Sequence, residues 1–511
     1  MTRREFTRSS LAGLVGWALA PSFGSAADEP RRPLNILLFT ADDLGPDTVG
    51  VGCLGGKVPG LTPNLDRFAS RGLRFRNAHV NSAICAPSRG CLATGRYGFN
   101  SGVYGFMKTE RDVPTVMEVL GAAGYLTGVL GKVSHSTPKV PYTWDYTRDY
   151  AQLGSGRSPA RYHACCTEFF AMCKKAGKPF YFMVNSHDPH RPFHVPGRLL
   201  KGAEAPSRLH KPAEVHVPGY LPDAPLVRQE LSCYFNSVRR LDDTFGKVMA
   251  ALREAGAEAS TLVMFLSDNG IAVPFSKCNC YLASTRTPWL VRWPGVVRPG
   301  TVDDEHFISG IDFFPTALAA AGLPIPEGLD GRSFLPLLRG AKQEGRRYVF
   351  TQIDYKAGGA PVPMRCVQDT RIGYIFNAWS DGATRYRNNN EGLCMKGMVQ
   401  AAETDPAIAE RVKMFRYRAP EELYDLERDP DCLTNLVASA EHQEALRACQ
   451  KQLREWMVAS GDPLLATFDK RADRREMKAE MGRSYRAQCP PKRSPRKGPR
   501  GARKGRAADR K

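Results

Sequence analysis

Asn35-Ile36-Leu37-Leu38-Phe39-Thr40 is a short apolar run, and Asp42-Asp43 follows it almost at once. A run of that length with no polar alternation reads as a strand buried on both faces, as in a parallel sheet. The same grammar recurs three times. Leu126 to Leu130 leads into Lys132 and His135; Pro179-Phe180-Tyr181-Phe182-Met183-Val184 leads into His187, Asp188 and His190; Leu262-Val263-Met264-Phe265-Leu266 leads into Asp268-Asn269.

Helical patterns lie between these runs. Thr62-Pro63 offers a cap and a first-turn proline, Leu65, Phe68 and Ala69 form an apolar face, and Gly72 ends it. Val113 to Ala123 stops at Gly124, Leu226 to Ala255 at Gly256, and Asp312 to Ala321 at Gly322. Strands alternating with helices predict an α/β fold with a doubly wound, mostly parallel sheet. Ligands of such sheets bind beyond the carboxyl ends of the strands. The four polar clusters are therefore expected to converge in space.

Past about residue 360 the pattern changes. Pro363-Met364-Arg365-Cys366-Val367 and Arg371 to Asn377 read as antiparallel strands, Glu422-Leu423-Tyr424-Asp425-Leu426 follows, and Glu441 to Val458 reads as an amphipathic helix. The expected organisation is a signal at 1–27, a catalytic α/β domain at 28–360, a smaller α+β subdomain at 361–469, and a basic tail without stable structure at 470–511. No internal repeat is evident.

The N-terminus reads as an export address. Thr2-Arg3-Arg4-Glu5-Phe6 is a twin-arginine pattern, Ser9 to Ala20 is apolar, and Ser25-Ala26-Ala27 offers a cleavage site. About a dozen apolar residues fall short of the ~20 needed to span a bilayer. The reading is a protein exported to the periplasm or beyond, with no stable membrane span. A twin-arginine substrate folds before export in a reducing compartment, which disfavours early disulfides among the 14 cysteines. Cys165-Cys166 and Cys278-x-Cys280 could pair, bind metal or remain thiols, but their spacings lack the second half of a zinc site.

The formal charge is +20, and ten Lys/Arg against one acidic residue between Lys492 and Lys511 leave about +11 on the rest. A basic body fits polyanions such as sulfated glycans, fits nucleic acid, and equally fits a plain solvated surface. No helix-turn-helix, zinc-finger or RNA-binding signature accompanies it, so nucleic acid is not expected as a partner.

Asp42, Asp43, Asp268 and Asn269 are hard oxygen donors, each pair placed after an apolar strand, and suit Ca²⁺ or Mg²⁺. Cys85-Ala86-Pro87-Ser88-Arg89-Gly90-Cys91-Leu92-Ala93-Thr94-Gly95-Arg96 puts a cysteine on a turn with Pro87 ready to start a helix. A helix N-terminus favours anions and lowers a thiol pKa, so a reactive cysteine or an oxyanion site fits; so does a buried structural thiol.

This string, C-x-P-S-R followed by L-x-T-G-R, resembles the signature of the type I sulfatases of the alkaline phosphatase superfamily. The resemblance runs from about Asn35 to Leu436, through Thr40-Ala41-Asp42-Asp43-Leu44-Gly45, Leu61-Thr62-Pro63-Asn64-Leu65-Asp66, Ser267-Asp268-Asn269-Gly270, Ile311-Asp312-Phe313-Phe314-Pro315-Thr316 and Glu422 to Leu426. Within the family the chain is most similar to the heparan N-sulfatase (sulfamidase) branch, through His187-Asp188-Pro189-His190-Arg191 and Pro363-Met364-Arg365-Cys366-Val367-Gln368-Asp369.

The resemblance implies that a maturating enzyme oxidises Cys85 to formylglycine, and that one Ca²⁺ is held by Asp42, Asp43, Asp268, Asn269 and residue 85. It implies a covalent mechanism on a sulfated carbohydrate. The hydrated aldehyde attacks sulfur, and its second hydroxyl then expels sulfate. Arg89 would hold the diol, Lys132 would bind sulfate, and His135 would take the proton during elimination. His187 and Lys277 would bind sulfate oxygens and protonate the leaving group. His190, Arg191 and Arg365 would read the substrate or serve in packing and salt bridges. Two departures stand out. Gly131-Lys132-Val133-Ser134-His135 has one residue more than the common G-K-x-H, a spacing similar to that of the iduronate-sulfatase branch, and Lys277 stands where the sulfamidase branch carries Arg. The competing readings are a phosphatase or phosphonate-ester hydrolase on the same fold, and a decayed enzyme that only binds sulfated polymer.

Overall fold

A computed structural model describes residues 34–50, 56–357, 361–387 and 391–490. The expected signal at 1–27 lies outside these residues. Eight strands form the main sheet: β1 (Asn35–Asp42), β2 (Leu73–Phe75), β4 (Leu126–Leu130), β5 (Tyr146–Arg148), β6 (Phe180–Pro189), β7 (Thr261–Ser267), β8 (Trp289–Arg292) and β9 (Thr301–Asp303). Their order is β5-β4-β6-β1-β7-β8-β2-β9. The run β5-β4-β6-β1-β7 is parallel throughout, whereas β8 runs against both of its neighbours.

Side chains of β1 alternate between two cores. Leu37 and Phe39 face one that contains Phe169 from helix Pro159–Ala176 and Tyr234 and Phe245 from helix Pro225–Glu254. Ile36 and Leu38 face the other, with Val116 and Leu120 from helix Val116–Ala122 and Phe314 and Leu318 from helix Phe313–Ala321. A strand buried on both sides has no polar face to show, which is why the run is uninterrupted. The packing is aromatic at its centre: Phe39 meets Phe245 edge-on at 5.2 Å and stacks on Phe265 at 5.6 Å.

β3 (Ala78–His79) and β10 (Ile308–Ser309) form a small parallel pair. The second sheet is antiparallel, in the order β11 (Val349–Tyr355), β12 (Pro361–Gln368), β13 (Ile372–Asn377), β14 (Glu421–Asp425). The boundary expected at 361 therefore cuts between two paired strands, because β11 belongs with β12. Helix Gln443–Ser460 covers this sheet, with Trp456 stacked on Phe350 at 4.9 Å and edge-on to Tyr97 at 5.0 Å.

The expected unstructured tail also starts too early. Residues 474–488 form helix Arg474–Glu480, a π-helical turn Met481–Tyr485 and a last turn Arg486–Gln488. Met477, Met481 and Tyr485, four apart, are buried. That stripe is enough to dock a segment whose other positions are charged. Residues 491–511 lie outside the described part. Among the described residues no helix is long and apolar enough to cross a membrane, and the cysteines are free.

Candidate active site

The four polar clusters meet because β4, β6, β1 and β7 are adjacent. Asp42 ends β1, and Asp43 turns away with φ 71°. Lys132 leaves β4 with φ 49°. Both are non-glycine residues in the left-handed region, a modest strain that is kept where side-chain direction matters. Asp43 N–H donates to Asp268 Oδ1 at 3.1 Å, and Asn269 Nδ2 donates to Asp43 Oδ1 at 2.7 Å. Lys132 pairs with Asp42, and Lys277 pairs with Asp43 while lying 3.1 Å from Cys85 Sγ. Cys85 Sγ is 3.4 Å from Asp42 Oδ1, and His190 Nε2 is 3.9 Å from Asp43 Oδ2. One donor atom each from Asp42, Asp43, Cys85 and His190 lie within 4.8 Å of one another.

Cys85 begins helix Cys85–Thr94, every residue of which is buried. Ile84 caps it in extended conformation, and Gly95 ends it with φ 61°, its N–H bonded to Cys91 O at 2.9 Å. Burial pushes the Cys85 thiol well above its ordinary value, and the Asp42 charge adds to this against Lys277. The pull of the helix N-terminus acts the other way and is outweighed by this desolvation.

Arg89 lies one turn further on and is fully buried. Its Nε and Nη2 grip Asp268 Oδ2 at 3.0 and 2.8 Å, and Nη1 donates to Thr40 Oγ1 at 2.6 Å and Asn185 Oδ1 at 2.5 Å. Thr40 also donates to Asn185 Oδ1, at 2.6 Å. Arg89 thus fixes the Asp268 carboxylate. Thr40 and Asn185 escaped the sequence reading, although Asn185 breaks the apolar run ahead of His187.

The carboxylates are unequal. Burial alone would raise Asp42, but Lys132, His190, Lys277 and Arg89 hold it well below the usual range. Burial and the neighbouring Asp42 charge raise Asp268 to about 7 despite Arg89. Asp43 Oδ2 and Asn269 Oδ1 are buried oxygens that accept no hydrogen bond. Crowded carboxylates with spare inward oxygens fit a hard cation, which would relieve both deficits.

His187 is almost fully buried and its Nδ1 has no hydrogen-bond partner. Burial, then Lys132, keeps the ring neutral far below its usual pKa. Its place is cut to shape, since a Cβ on Gly156 would lie 2.2 Å from Nδ1. The next residue, Asp188, is gripped by Arg240 at 2.7 and 3.0 Å and by Arg157 at 3.3 Å. Arg157 also donates to Ser155 O and His190 O, both at 2.9 Å, tying the 154–156 turn to the residue just past the end of β6, the strand that carries His187. Nothing in the local sequence marks Arg157 or Arg240 for this role.

The extra residue before His135 is absorbed by a single helical turn, Val133–Ser136, after the left-handed Lys132. The His135 ring sits edge-on to Phe106 at 5.5 Å, and its Nδ1 is buried without a partner. Burial and Lys132 bring its pKa down to about 4. Arg191 spends its guanidinium on Glu230 at 2.6 Å and Ala272 O at 2.9 Å, over the Phe193 ring. Arg365, a candidate for reading the substrate, does not reach the site. It is wholly buried, bonded to Asp462 at 2.5 and 3.1 Å and to Asp354 at 3.0 Å, and serves as a core ion pair between β12 and the C-terminal segment.

Comparison with known proteins agrees with this layout. A family profile described as Sulfatase matches residues 34–323, and one described as N-sulphoglucosamine sulphohydrolase, C-terminal, matches 272–378. Human N-sulphoglucosamine sulphohydrolase is 29% identical over 483 residues, covering 86% of this chain and 92% of that protein. A solved structure described as in complex with its substrate D-glucosamine-2-N,6-O-disulfate superposes with TM-score 0.62 at 18% identity, over 84% of this chain and 98% of the other. The phosphonate monoester hydrolase of Silicibacter pomeroyi superposes with TM-score 0.63 at 19% identity, over 84% and 96%. At such identities the two structures speak for the fold alone. The profile match does more: it spans over half of the chain, including the strand ends that gather Asp42, Cys85 and Asp268, and on that ground the protein belongs to the sulfatase family, on the side of N-sulphoglucosamine sulphohydrolase.

Proposed function

We propose that this sulfatase removes sulfate from a sulfated sugar, using residue 85 as formylglycine and one Ca²⁺. The observation that carries the reading is Cys85 itself. It sits at a buried helix start, 3.4 Å from Asp42 Oδ1 and 3.1 Å from Lys277 Nζ, and opens the Cys85–Arg96 string. Formylglycine at this position would supply a hydrated aldehyde whose hydroxyl can attack sulfur. Asp42, Asp43, Asp268 and Asn269 would hold the cation, which supplies positive charge against the sulfate oxygens. Lys132 and Lys277 flank the same point and add charge from either side. His187 and His135 are neutral near pH 7 and each keeps a buried, unpartnered Nδ1. They are suited to trade protons, His135 with residue 85 and His187 with the leaving oxygen or nitrogen. Arg89 and Arg157 act through others, by fixing Asp268 and the His187–His190 strand end. The twin-arginine pattern supports export, and the sulfatase signature around Cys85 supports a maturating enzyme as partner.

The test is production alongside a sulfatase-maturating enzyme. The tryptic peptide Asn77 to Arg89 should carry an aldehyde in place of the thiol. The protein should then release sulfate from sulfated mono- and oligosaccharides in a Ca²⁺-dependent way. An unmodified peptide despite an active maturase refutes the formylglycine mechanism. The shared fold with a phosphonate monoester hydrolase gives the second reading, which prevails if aryl phosphonate esters are cleaved with higher kcat/KM than aryl sulfates.

A further inference from the structure

Three neighbours enclose the His187 ring. A Cβ on Gly131, the residue before Lys132, would lie 3.1 Å from its Cε1, and a Cβ on Gly156 would lie 2.2 Å from its Nδ1. The third neighbour is Tyr150, whose ring meets the imidazole edge-on, with centroids 5.4 Å apart and planes at 70°. The two glycines are backbone and already define where the imidazole sits. Tyr150 differs from them in being open: it is 45% exposed, against 8% for His187. Solvent meets the tyrosine where it barely meets the histidine.

Tyr150 is also held in place. Its N–H donates to Asp149 Oδ1 at 2.9 Å, and its carbonyl accepts from Gly156 N–H at 3.0 Å. The turn that shapes the His187 pocket therefore presents Tyr150 as well. A half-open aromatic side chain is ordinary on a protein surface. One whose covered part lies against a proton-transfer group, on a turn fixed by its own hydrogen bonds, is placed to meet a ligand with little further ordering.

The ligand's own geometry leads to the same ring. On the sulfatase reading, His187 trades a proton with the leaving oxygen or nitrogen, which puts that atom about 3 Å from a ring nitrogen. The sugar carbon that bears it is one bond further on, and packed carbon atoms touch at about 3.5–4 Å. A tyrosine centroid 5.4 Å from the imidazole lies within one such contact of that sugar. A pyranose carries its hydroxyls around the rim and shows C–H groups on its faces. Those weakly positive hydrogens suit the negative face of an aromatic ring.

We propose that Tyr150 is the platform on which the sugar bearing the scissile sulfate lies. This rests on the sulfatase reading and adds a specificity residue to it: Lys132 and Lys277 read the sulfate, and Tyr150 reads the pyranose face.

The experiment compares the matured parent, Tyr150→Ala and Tyr150→Phe, with D-glucosamine-2-N,6-O-disulfate as substrate and inorganic sulfate, which has no ring, as inhibitor. Tyr150→Ala should lose about tenfold in kcat/KM, carried by KM, with kcat within about twofold of the parent. Its inhibition by inorganic sulfate should be unchanged. Tyr150→Phe should match the parent, because it keeps the ring. A Tyr150→Ala protein that loses kcat at constant KM, or loses inhibition by inorganic sulfate, overturns the proposal, since the ring would then only prop His187. So does an unchanged KM, or a Tyr150→Phe protein as impaired as Tyr150→Ala. If the parent releases no sulfate from this sugar, calorimetric titration of the sugar decides: about tenfold weaker binding to Tyr150→Ala supports the platform, and equal or absent binding overturns it. Turnover of 4-nitrophenyl sulfate by the parent then shows separately whether the reading of the reaction has failed.

Discussion

Gly156→Ala is the sharpest test of how the site is held. The new methyl would lie 2.2 Å from His187 Nδ1 and 2.3 Å from Cγ. Ordinary contact needs about 3.4 Å, so the ring must move by roughly 1 Å. The strand cannot yield easily, because Asp188 is locked by Arg240 and Arg157. The ring would swing instead, and a misplacement near 1 Å costs about 10²-fold in rate. Gly156 also has φ +67°, so alanine adds about 1–2 kcal/mol of backbone strain. Gly177→Ala separates the two effects, since Gly177 has φ +63° and nothing within 4 Å of its Cβ. The assay is steady-state sulfate release with thermal denaturation in parallel. Gly156→Ala should lose about 10²-fold in kcat, while Gly177→Ala should keep its rate and lose only about 1–2 kcal/mol of stability. A Gly156→Ala protein that folds and turns over within threefold of the parent refutes the idea that this turn sets the His187 ring.

Arg365→Leu should destabilise by about 3–5 kcal/mol by leaving Asp354 and Asp462 buried without a counter-charge; a raised KM with unchanged Tm would instead restore the substrate-reading role. Chelation by EDTA should abolish turnover and lower Tm, and Ca²⁺ at 100 times its Kd should return about 2.7 kcal/mol of stability; an unchanged Tm argues against a resident cation. His79 is fully buried and, through burial and then Arg286, held down to about 3, so the folded chain keeps it neutral where the unfolded chain takes up a proton. Stability should therefore fall as pH drops from about 6.5 toward 3, by roughly 1.4 kcal/mol per unit from this group, about 2 kcal/mol by pH 5. His79→Gln should flatten that acid limb in denaturant titrations, and an equally steep limb would contradict the assignment.

The parallel strands were legible because burial on both faces leaves nothing polar in them, and the site because each strand ends in chemistry that the core would not tolerate. β2, β8 and β9 were not, since strands of three or four residues carry too little periodicity to stand out. Arg365 shows the limit for charged residues: the sequence names the cation, but not that Asp354 and Asp462 wait for it, the latter almost a hundred positions away. Arg157 and Thr40 were invisible for the same reason. The Met477, Met481, Tyr485 stripe was present in the sequence but masked by the basic residues around it.

On the formylglycine reading proposed above, the buried helix that starts at Cys85 would turn biosynthesis into a race. With the side chain 2% exposed, a modifying enzyme cannot reach it once the fold has closed. Each polypeptide would then commit once: oxidised first, it would become a catalyst; folded first, it would stay a stable but silent copy. The active fraction of a preparation then reports the ratio of two rates, maturation over folding. A substitution that merely slows folding would raise specific activity without touching a single group in the site.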